Sequence, residues 1–573
     1  MKKDNSDLKS GIKAVFRRAT TEIDYLPKKA LKLQSQLIRK GPIGTARAIR
    51  KEISNHSKPN RDHSYLSVAF RQYEPWIAIN EYRAGLFDRH DKPKIPVHRI
   101  CLDLKTRANL EIDNPAKEYV VFLDRKDILR AGALPIIADF AVDSNFPEVI
   151  YWDEDELAAN GKRVHPFFKP EWSPEFFHHF NYIGHAFAVR ADQLPFIDEY
   201  SDSGFVQFFL EHIEKPKRAE HLKLILSHKR TKFKRAGEIP NPGASHEFSK
   251  SSARPALQAY LDKLGPGATV NAHPDDPNLN RVVYSNNWFS PEITVIICAK
   301  NKYWITRRAI SGVLNKTDYP NLKLIVVDHQ STDLLLKRYF NKITKDSRVR
   351  ILRYEGPFNF SDMNNLAVGE SKSNFICFLN NDTEIIHSDW LTQLAGPLKN
   401  KNVAASGAKL LFPDKTIQHA GVVIGMSNIA GHQFIGVPHN DRTVPARRIL
   451  HAIRNVSAVT AACMLVRNSD FLAVGGFDSE NLAVAYNDVD LCLKIRKLGK
   501  RIVYQPGATL YHYESKSRGS DQSPKRRRAY ELECNFIRKK WDIEHLVDPY
   551  HHPNLTLAPG LYDLELNPID HID

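Results

Sequence analysis

Polar side chains that could bind a nucleotide follow an apolar segment in the second half of the chain. The segment KLIVVD (323–328) ends in Asp328, and Ser331 and Asp333 come shortly after it. A carboxylate at the carboxyl end of a buried strand can accept hydrogen bonds from a base or a ribose hydroxyl. The alternative is a helix N-cap, for which Ser331 or Thr332 is suited. The residues alone leave both interpretations open.

A second group could hold a cation. The apolar run NFICFLN (374–380) is followed by Asn381 and Asp382. Mg²⁺ and Mn²⁺ prefer oxygen ligands and commonly share their coordination with substrate phosphates. An Asx-turn would account for the same residue types without any metal. The pattern therefore predicts a lean metal site centred on Asp382, with a turn as the alternative.

A third group has the residue types of acid–base chemistry. Asp488 and Asp490 open an amphipathic helical pattern, where acidic residues are favoured by the helix dipole. Two aspartates exceed what a cap needs, and a carboxylate there could take a proton from a hydroxyl. Further on, His512 follows the β-like run ATLYHY, and a lone histidine is more often structural. It gains interest only if it lies beside Asp382.

The elements that must position these residues alternate along the chain. Apolar strands are predicted at 293–299, 323–328, 349–354 and 374–380, with helical stretches between them. This alternation with short turns predicts an α/β fold with a doubly wound, mostly parallel sheet. Such sheets bind ligands at the carboxyl ends of their strands.

Length and charge limit the classes of protein. The chain has 573 residues, enough for two or three domains, and a formal net charge of +16. That charge attracts nucleic acid, an anionic membrane leaflet or phosphate-bearing substrates alike. No apolar stretch is long enough to span a bilayer, the start has no signal-peptide pattern, and the cysteines are scattered. We therefore expect buried thiols and a cytoplasmic location.

The first half is harder to interpret. Residues 7–55 are basic, with apolar positions at helical spacing, and predict two amphipathic helices that pack on the next domain or lie on a membrane surface. Strands are predicted at 119–123 and 149–152 with a helix around 129–140. The Pro-, Gly- and Ser-rich stretches at 237–255 and 266–291 are predicted to be linkers.

A resemblance rests on motifs from Pro291 to about Pro553: IVVDHQSTD, FICFLNNDTEI, IQHAGVVIG, NVSAVTAACMLVR, GGFD and AYNDVDLCLKIRKLG. Their order and spacing resemble the inverting family 2 glycosyltransferases of the GT-A fold. Within that family the chain is most similar to bacterial rhamnosyltransferase-like enzymes of O-antigen and other surface-polysaccharide synthesis.

The resemblance implies a role for each matching residue. Asp488 is the catalytic base, and Asp382 with His512 binds the metal, a divalent cation (Mn²⁺ or Mg²⁺). The residues expected at the nucleotide-sugar are Lys300, Asn301, Asp328, Ser331, Asp333, Asn380, Asn381 and Asp490. The chain departs from the family pattern at Cys298-Ala299, where a proline is usual, at Asn380, where an aspartate is usual, and at Ala461, where a glycine is common.

The first half resembles a damaged copy of the same fold. Aligning FLDRKD with FLNNDT puts Lys126 in the place of Asp382, and aligning SGFVQFFL with NDVDLCL puts Phe205 in the place of Asp488. A lysine cannot bind a cation, and a phenylalanine cannot take a proton, so this copy is expected to be a scaffold. The predicted organisation is basic helices at 1–58, the degenerate copy at 59–235, a linker with a short helix at 236–290, the catalytic domain at 291–550 and a tail at 551–573.

The resulting expectation is transfer of a sugar, with rhamnose as one candidate, from a UDP- or dTDP-sugar with inversion. The acceptor would be a saccharide or a lipid-linked oligosaccharide, which implies work at the inner face of the cytoplasmic membrane. The alternative is a non-catalytic pseudo-transferase that binds polysaccharide or membrane. The sequence has no recognised nucleic-acid motif, so nucleic acid is not expected as a partner.

Overall fold

The computed structural model describes residues 73, 76–77, 93–101, 111–124, 127–197, 200–213, 218–230, 253–440, 447–513, 523–559 and 563–565. All of them belong to one compact unit, residues 64–573. The basic helices predicted at 7–55 lie outside the described residues. Within the described residues, no helix is long and apolar enough to cross a bilayer.

The first half forms a seven-stranded sheet, which we call the first sheet. Its strands are β1 (Val97–Cys101), β2 (Tyr119–Leu123), β3 (Asp127–Leu129), β4 (Val149–Leu157), β5 (Arg163–Phe167), β6 (Phe187–Arg190) and β7 (Ala219–Arg230). Their order is β1-β2-β6-β4-β7-β3, with β5 beside β4. The helices are α1 (Ala133–Asp143), α2 (Pro174–His179) and α3 (Asp202–His212). Strands β2 and β4 and a helix after β3 confirm the elements predicted at 119–123, 149–152 and 129–140.

The segment between the two halves has more structure than predicted. Helix α4 (Ala253–Leu264) lies where a short helix was predicted, and it is followed by a hairpin of β8 (Ala268–His273) and β9 (Asp276–Tyr284), where the sequence predicted a loose stretch. The hairpin is held because its apolar side chains are buried: the rings of Tyr284 and Trp288 stack at 5.8 Å, and the Trp288 indole donates to the Gly396 carbonyl. Of the residues that suggested a linker, Gly265, Pro266 and Gly267 form the turn between α4 and β8, whereas Pro277 lies within β9.

The second half forms a ten-stranded sheet, the second sheet. Its strands are β10 (Ile293–Ala299), β11 (Leu322–Asp328), β12 (Val349–Arg353), β13 (Phe375–Leu379), β14 (Thr383–Ile385), β15 (Val403–Leu411), β16 (Ile417–His419), β19 (Arg454–Val456), β20 (Cys463–Arg467) and β21 (Arg501–His512). The order is β12-β11-β10-β13-β20-β15-β21-β14, with β16 beside β15 and β19 beside β21. A separate pair consists of β17 (Val422–Ile424) and β18 (Ala430–His432).

Helices cover this sheet. They are α5 (Tyr303–Asn315), α6 (Leu334–Ile343), α7 (Phe360–Gly369), α8 (Trp390–Ala395), α9 (Arg447–His451), α10 (Asn468–Ala473), α11 (Asn487–Lys497) and α12 (Pro524–Trp541). The alternation of strands and helices predicted up to residue 380 is confirmed.

The predicted parallel pairing is found for β12, β11, β10 and β13 and again between β15 and β21. Strand β20 runs antiparallel to both β13 and β15, so the sheet is mixed. Sequence periodicity could not show this, because a strand buried on both faces has the same apolar pattern in either direction.

The two sheets share a topology. Six pairings of the first sheet recur in the second with the same direction: β1·β2 as β10·β13, β2·β6 as β13·β20, β4·β6 as β15·β20, β4·β7 as β15·β21, β3·β7 as β14·β21 and β4·β5 as β15·β16. Strands β11, β12 and β19 have no counterpart among the described residues of the first sheet. In the second sheet, His512 lies opposite Thr383, the first residue of β14. In the first sheet, Lys229 lies opposite Asp127, the first residue of β3, and so corresponds to His512.

Buried polar contacts join the two sheets. Glu175 of α2 accepts a hydrogen bond from Arg501 at 2.8 Å, and both side chains are buried. Burial raises the pKa of the Glu175 carboxyl, but the charge and hydrogen bonds of Arg501 outweigh it, so the pKa lies below its ordinary value. Breaking a buried pair leaves an uncompensated charge, so this contact fixes the sheets together.

The predicted C-terminal tail is in fact part of the compact unit. His551 and His552 are buried, and the Glu171 N–H donates to the Pro549 carbonyl. The boundary predicted at residue 550 therefore does not separate a packed domain from a free tail. No residue pattern indicates this burial, because the residues that cover His552, among them Asp153 and Phe168, belong to the first half of the chain.

Candidate functional site

Strand pairing brings Asp382 and His512 together. Asp382 precedes β14, and Thr383 lies opposite His512, the last residue of β21. The Tyr513 N–H donates to the Asp382 carbonyl, which fixes the backbone at this point. Asp382 Oδ1 lies 3.1 Å from His512 Nε2, and both side chains are buried. His512 therefore lies beside Asp382, which was the condition for considering it as a metal ligand.

Gln418 orients the histidine. His512 Nδ1 lies 2.6 Å from Gln418 Oε1, so in the tautomer with its proton on Nδ1 the ring donates to Gln418 and presents the Nε2 lone pair to Asp382. A carboxylate oxygen and an imidazole lone pair that face each other in a buried site fit a divalent cation. The Asn380 amide lies 3.2 Å from the same nitrogen. Sequence reasoning did not single out Gln418; its only signal was a place in the string IQHAGVVIG.

Asn381 does not face this pair. Its amide donates to Thr306 Oγ1 at 3.2 Å, and the side chain is buried against α5. The donor contact predicted for Asn381 is therefore not supported, since the side chain is turned away from Asp382 and serves to attach the loop to the helix.

The predicted donor residues form one network at the ends of β10 and β11. The Ser331 hydroxyl accepts from the Asn301 N–H at 2.9 Å, and Asn301 Oδ1 accepts from the Asp333 N–H at 3.0 Å. Asp328 Oδ1 accepts from the Ser331 N–H at 3.1 Å. Asn301 has a φ of 55°, a left-handed conformation that asparagine tolerates. Lys300 is exposed at the end of β10.

Asp333 is the N-cap of α6, a role that the sequence assigned to Ser331 or Thr332. Its Oδ1 accepts from the Leu335 and Leu336 N–H groups, and its Oδ2 lies 3.2 Å from the Tyr303 nitrogen, whose N–H donates to it. Both carboxylate oxygens are thus used within the fold, which argues against a direct donor contact. Ser331, Asn301 and Asp333 shape the loop, and Asp328 is the acid at the strand end.

Asp488 lies at the start of α11 and is half-buried. Its Oδ2 accepts from the Ala461 N–H at 3.1 Å. The neighbouring Ala462 carbonyl accepts from the Asn380 N–H at 3.0 Å. One short segment thus contacts both the candidate base and the loop of the metal pair, so the two groups belong to one site.

Asp490 has a different environment from Asp488. It is fully buried, lies 2.7 Å from Lys540 and 3.2 Å from Lys494, and accepts from the Trp541 indole. The structure does not support the donor contact predicted for Asp490: residues two apart on a helix point in nearly opposite directions, and this side chain faces α12.

The corresponding edge of the first sheet contains an ion pair. Lys229 lies 3.0 Å and Lys169 3.4 Å from Glu154, all three buried. Lys126, predicted at the metal position, lies outside the described residues. Phe205 is buried in an aromatic cluster, 5.0 Å from Phe122.

The sequence is similar to known proteins. Residues 294–440 match the family model "Glycosyl transferase family 2". The "Uncharacterized protein y4gI" of Sinorhizobium fredii is 32% identical over 78% of this chain and 50% of that protein. The "O-antigen biosynthesis protein RfbC" of Myxococcus xanthus is 31% identical over 79% of this chain and 35% of that protein. The chain thus spans half or less of these two relatives.

A shorter relative and a solved structure complete the comparison. The "Rhamnosyltransferase WbbL" of Escherichia coli is 29% identical over 34% of this chain and 74% of that protein. The crystal structure of GalNAc-T7 with UDP, GalNAc and Mn²⁺ has a TM-score of 0.36 and 16% identity over 46% of this chain and 53% of that chain. That structural likeness is too low to bear on function.

The contrast between Asp488 and Asp490 yields a test by stability. Asp490→Asn removes a buried charge that two lysines face, and we expect a loss of about 2–4 kcal/mol in the free energy of unfolding. Asp488→Asn keeps an oxygen that can accept from Ala461 and is expected to change it by less than about 1 kcal/mol. Urea unfolding followed by circular dichroism measures both. Equal losses would contradict the division of roles.

Proposed function

We propose that the chain transfers a sugar from a nucleotide-diphosphate sugar to a saccharide or lipid-linked acceptor with inversion, since residues 294–440 match the family model "Glycosyl transferase family 2". The observation that carries this proposal is that one segment, Ala461-Ala462, contacts both groups. The Ala461 N–H donates to Asp488, and the Ala462 carbonyl accepts from Asn380, in the loop that also contains Asp382 beside His512. Relatives named for O-antigen biosynthesis and rhamnosyl transfer favour a role in surface-polysaccharide synthesis.

Asp382 and His512 are the residues that would hold a divalent cation. When bound, such a cation supplies positive charge to the diphosphate leaving group. Two protein ligands are few, so diphosphate oxygens would complete the coordination, as is common for Mg²⁺ and Mn²⁺. Asp328, at the end of β11, would accept hydrogen bonds from the base or ribose, with Lys300 nearby. Gln418 keeps His512 in the tautomer that leaves Nε2 free to bind.

Asp488 would take the proton from the acceptor hydroxyl as its oxygen attacks the anomeric carbon from the face opposite the diphosphate. The Ala461 N–H holds one carboxylate oxygen, which orients the group for this transfer. Positioning of donor and acceptor on a common frame contributes much of the remaining rate. Because Asp328, Asp382 and Asp488 are all present, we prefer this proposal to a non-catalytic pseudo-transferase.

We further propose that the first sheet is a non-catalytic copy. Its pairings repeat those of the second sheet, but Lys229 stands at the position of His512 and pairs with Glu154. The lysine ammonium occupies the place of a metal ligand and cannot bind a cation. The counterparts of β11 and β12, which carry the donor loop, are not found among the described residues of this sheet.

The first functional prediction concerns the base. Asp488→Asn removes the proton acceptor and keeps the shape, so we expect the transfer rate to fall by about 10²–10⁴. Donor binding, measured by calorimetry with UDP- and dTDP-sugars, should be retained. The control is Glu480→Gln, an exposed acid on the loop before α11, which should leave the rate unchanged. Near-normal transfer by Asp488→Asn would exclude it as the base.

Metal dependence is the next expectation. Chelation should abolish transfer, Mn²⁺ or Mg²⁺ should restore it, and Asp382→Ala should not be rescued. Gln418→Leu, which removes the acceptor for His512 Nδ1, should raise the half-saturating metal concentration by about 10–100-fold. Glu384→Gln is the matched control, because Glu384 contacts Tyr513 and Arg308 instead. Full activity in excess chelator would refute metal dependence.

A pair of variants separates the two sheets. Asp124→Ala combined with Asp127→Ala changes the edge of the first sheet that corresponds to the metal loop, and we expect transfer to stay within a few-fold of wild type. Burial raises the pKa of the Asp127 carboxyl to about 6, although the charge of Lys229 opposes the shift. Asp382→Ala should abolish transfer in the same assay. Loss of transfer in the upstream pair, with folding and donor binding intact, would make the chain a two-site enzyme.

A further inference from the structure

Three side chains far apart in the sequence converge away from the candidate site. Asp153 lies on β4, His221 on β7 and His552 in the segment after α12, and their side chains are 0–1% exposed. His221 Nε2 lies 2.9 Å from Asp153 Oδ1, and His552 Nε2 lies 2.9 Å from Asp153 Oδ2. One ligand atom of each residue lies within 4.8 Å of the other two.

The two histidine contacts differ in alignment. His221 and Asp153 form a hydrogen bond, whereas His552 Nε2 and Asp153 Oδ2 are equally close but are not aligned as donor and acceptor. Both atoms are fully buried and have no hydrogen-bond partner. Buried polar atoms in native proteins are nearly always satisfied, and an ion bound between these two close atoms would satisfy both of them.

We propose that Asp153, His221 and His552 form a structural transition-metal site, with Zn²⁺ as the ion that their chemistry fits best. Two imidazole nitrogens and one carboxylate oxygen suit Zn²⁺, whereas Mg²⁺ and Ca²⁺ select oxygen ligands alone. Among the described residues no fourth histidine, cysteine or acid joins the group. A small cavity that includes Ser173 and Gln433 in its lining adjoins His552.

The location indicates what the ion does. The Asp153 carboxylate is already oriented, because Oδ1 accepts from the Lys169 N–H at 2.8 Å. The segment that carries His552 also contacts the second half of the chain, where Asp548 accepts from the Ile424 N–H. A metal here would tie this segment to both halves, and its binding free energy would add to folding stability. This inference does not depend on the proposed transfer reaction.

The test uses the full-length, untagged chain equilibrated with Zn²⁺ and dialysed, with metal measured by plasma mass spectrometry. We expect one Zn²⁺ per chain in the wild type and a loss of at least ten-fold in Asp153→Asn and in His552→Gln. His545→Gln, an exposed histidine in the same region, and Asp382→Asn should keep the ion. Co²⁺ in place of Zn²⁺ should give visible absorption that the first two variants lack.

A second measurement covers variants that fold poorly. Chelation should lower the thermal midpoint of the wild type, and added Zn²⁺ alone should restore it. No bound Zn²⁺ and no chelator effect in the wild type would overturn the proposal and leave a plain ion-pair network. Retention of Zn²⁺ by both Asp153→Asn and His552→Gln, or its loss from Asp382→Asn, would place the ion elsewhere and equally overturn it.

Discussion

The antiparallel pairing of β14 with the end of β21 is the constraint on which the candidate site depends. It brings Asp382 and His512 within 3.1 Å although they are 130 residues apart in the chain. Side chains alternate along a strand, so a slip of one residue would turn His512 to the other face of the sheet. The bond from the Tyr513 N–H to the Asp382 carbonyl fixes that register.

The same strand also fixes the junction between the sheets. Arg501, at the start of β21, forms the buried pair with Glu175, and His512 ends the strand. Strand β21 pairs with β15 along most of its length, with β19 near its start and with β14 at its end, so its two ends are held in one sheet. The first sheet can therefore contribute to the geometry of the site by holding one end of β21, without supplying any reacting group.

The sequence was informative where a residue pattern acts locally. The strands at 119–123 and 293–299 have the bounds predicted for them, because short apolar runs between turn residues suffice to define a buried strand. The pairing of Asp382 with His512 followed from family-like motifs. Features that depend on residues distant in the sequence could not be predicted. These are the direction of β20, the burial of His552 and the role of Gln418.

Corrections within the site have the same origin. Asp333 and Asp490 are aspartates, a residue type that can contact a nucleotide-sugar. The structure shows that each carboxylate already has partners within the protein: Asp333 accepts from backbone N–H groups, and Asp490 pairs with lysines. Composition at a strand or helix end shows that a carboxylate is present. Which way it points depends on elements that arrive later in the chain, such as α12 for Asp490.

Asp488 and Asp490 together show how the site is tied to the fold. Residues two apart on a helix lie on nearly opposite sides, so α11 presents one carboxylate to the Ala461 N–H and buries the other against Lys540 and Trp541. The buried aspartate sets the rotation of α11 about its axis, and that rotation sets where Asp488 points. Since the segment that holds Asp488 also accepts from Asn380, a turn of α11 would move the proposed base relative to the loop of Asp382. The two aspartates thus act on the same geometry from opposite faces of one helix, although only Asp488 is placed to meet a substrate.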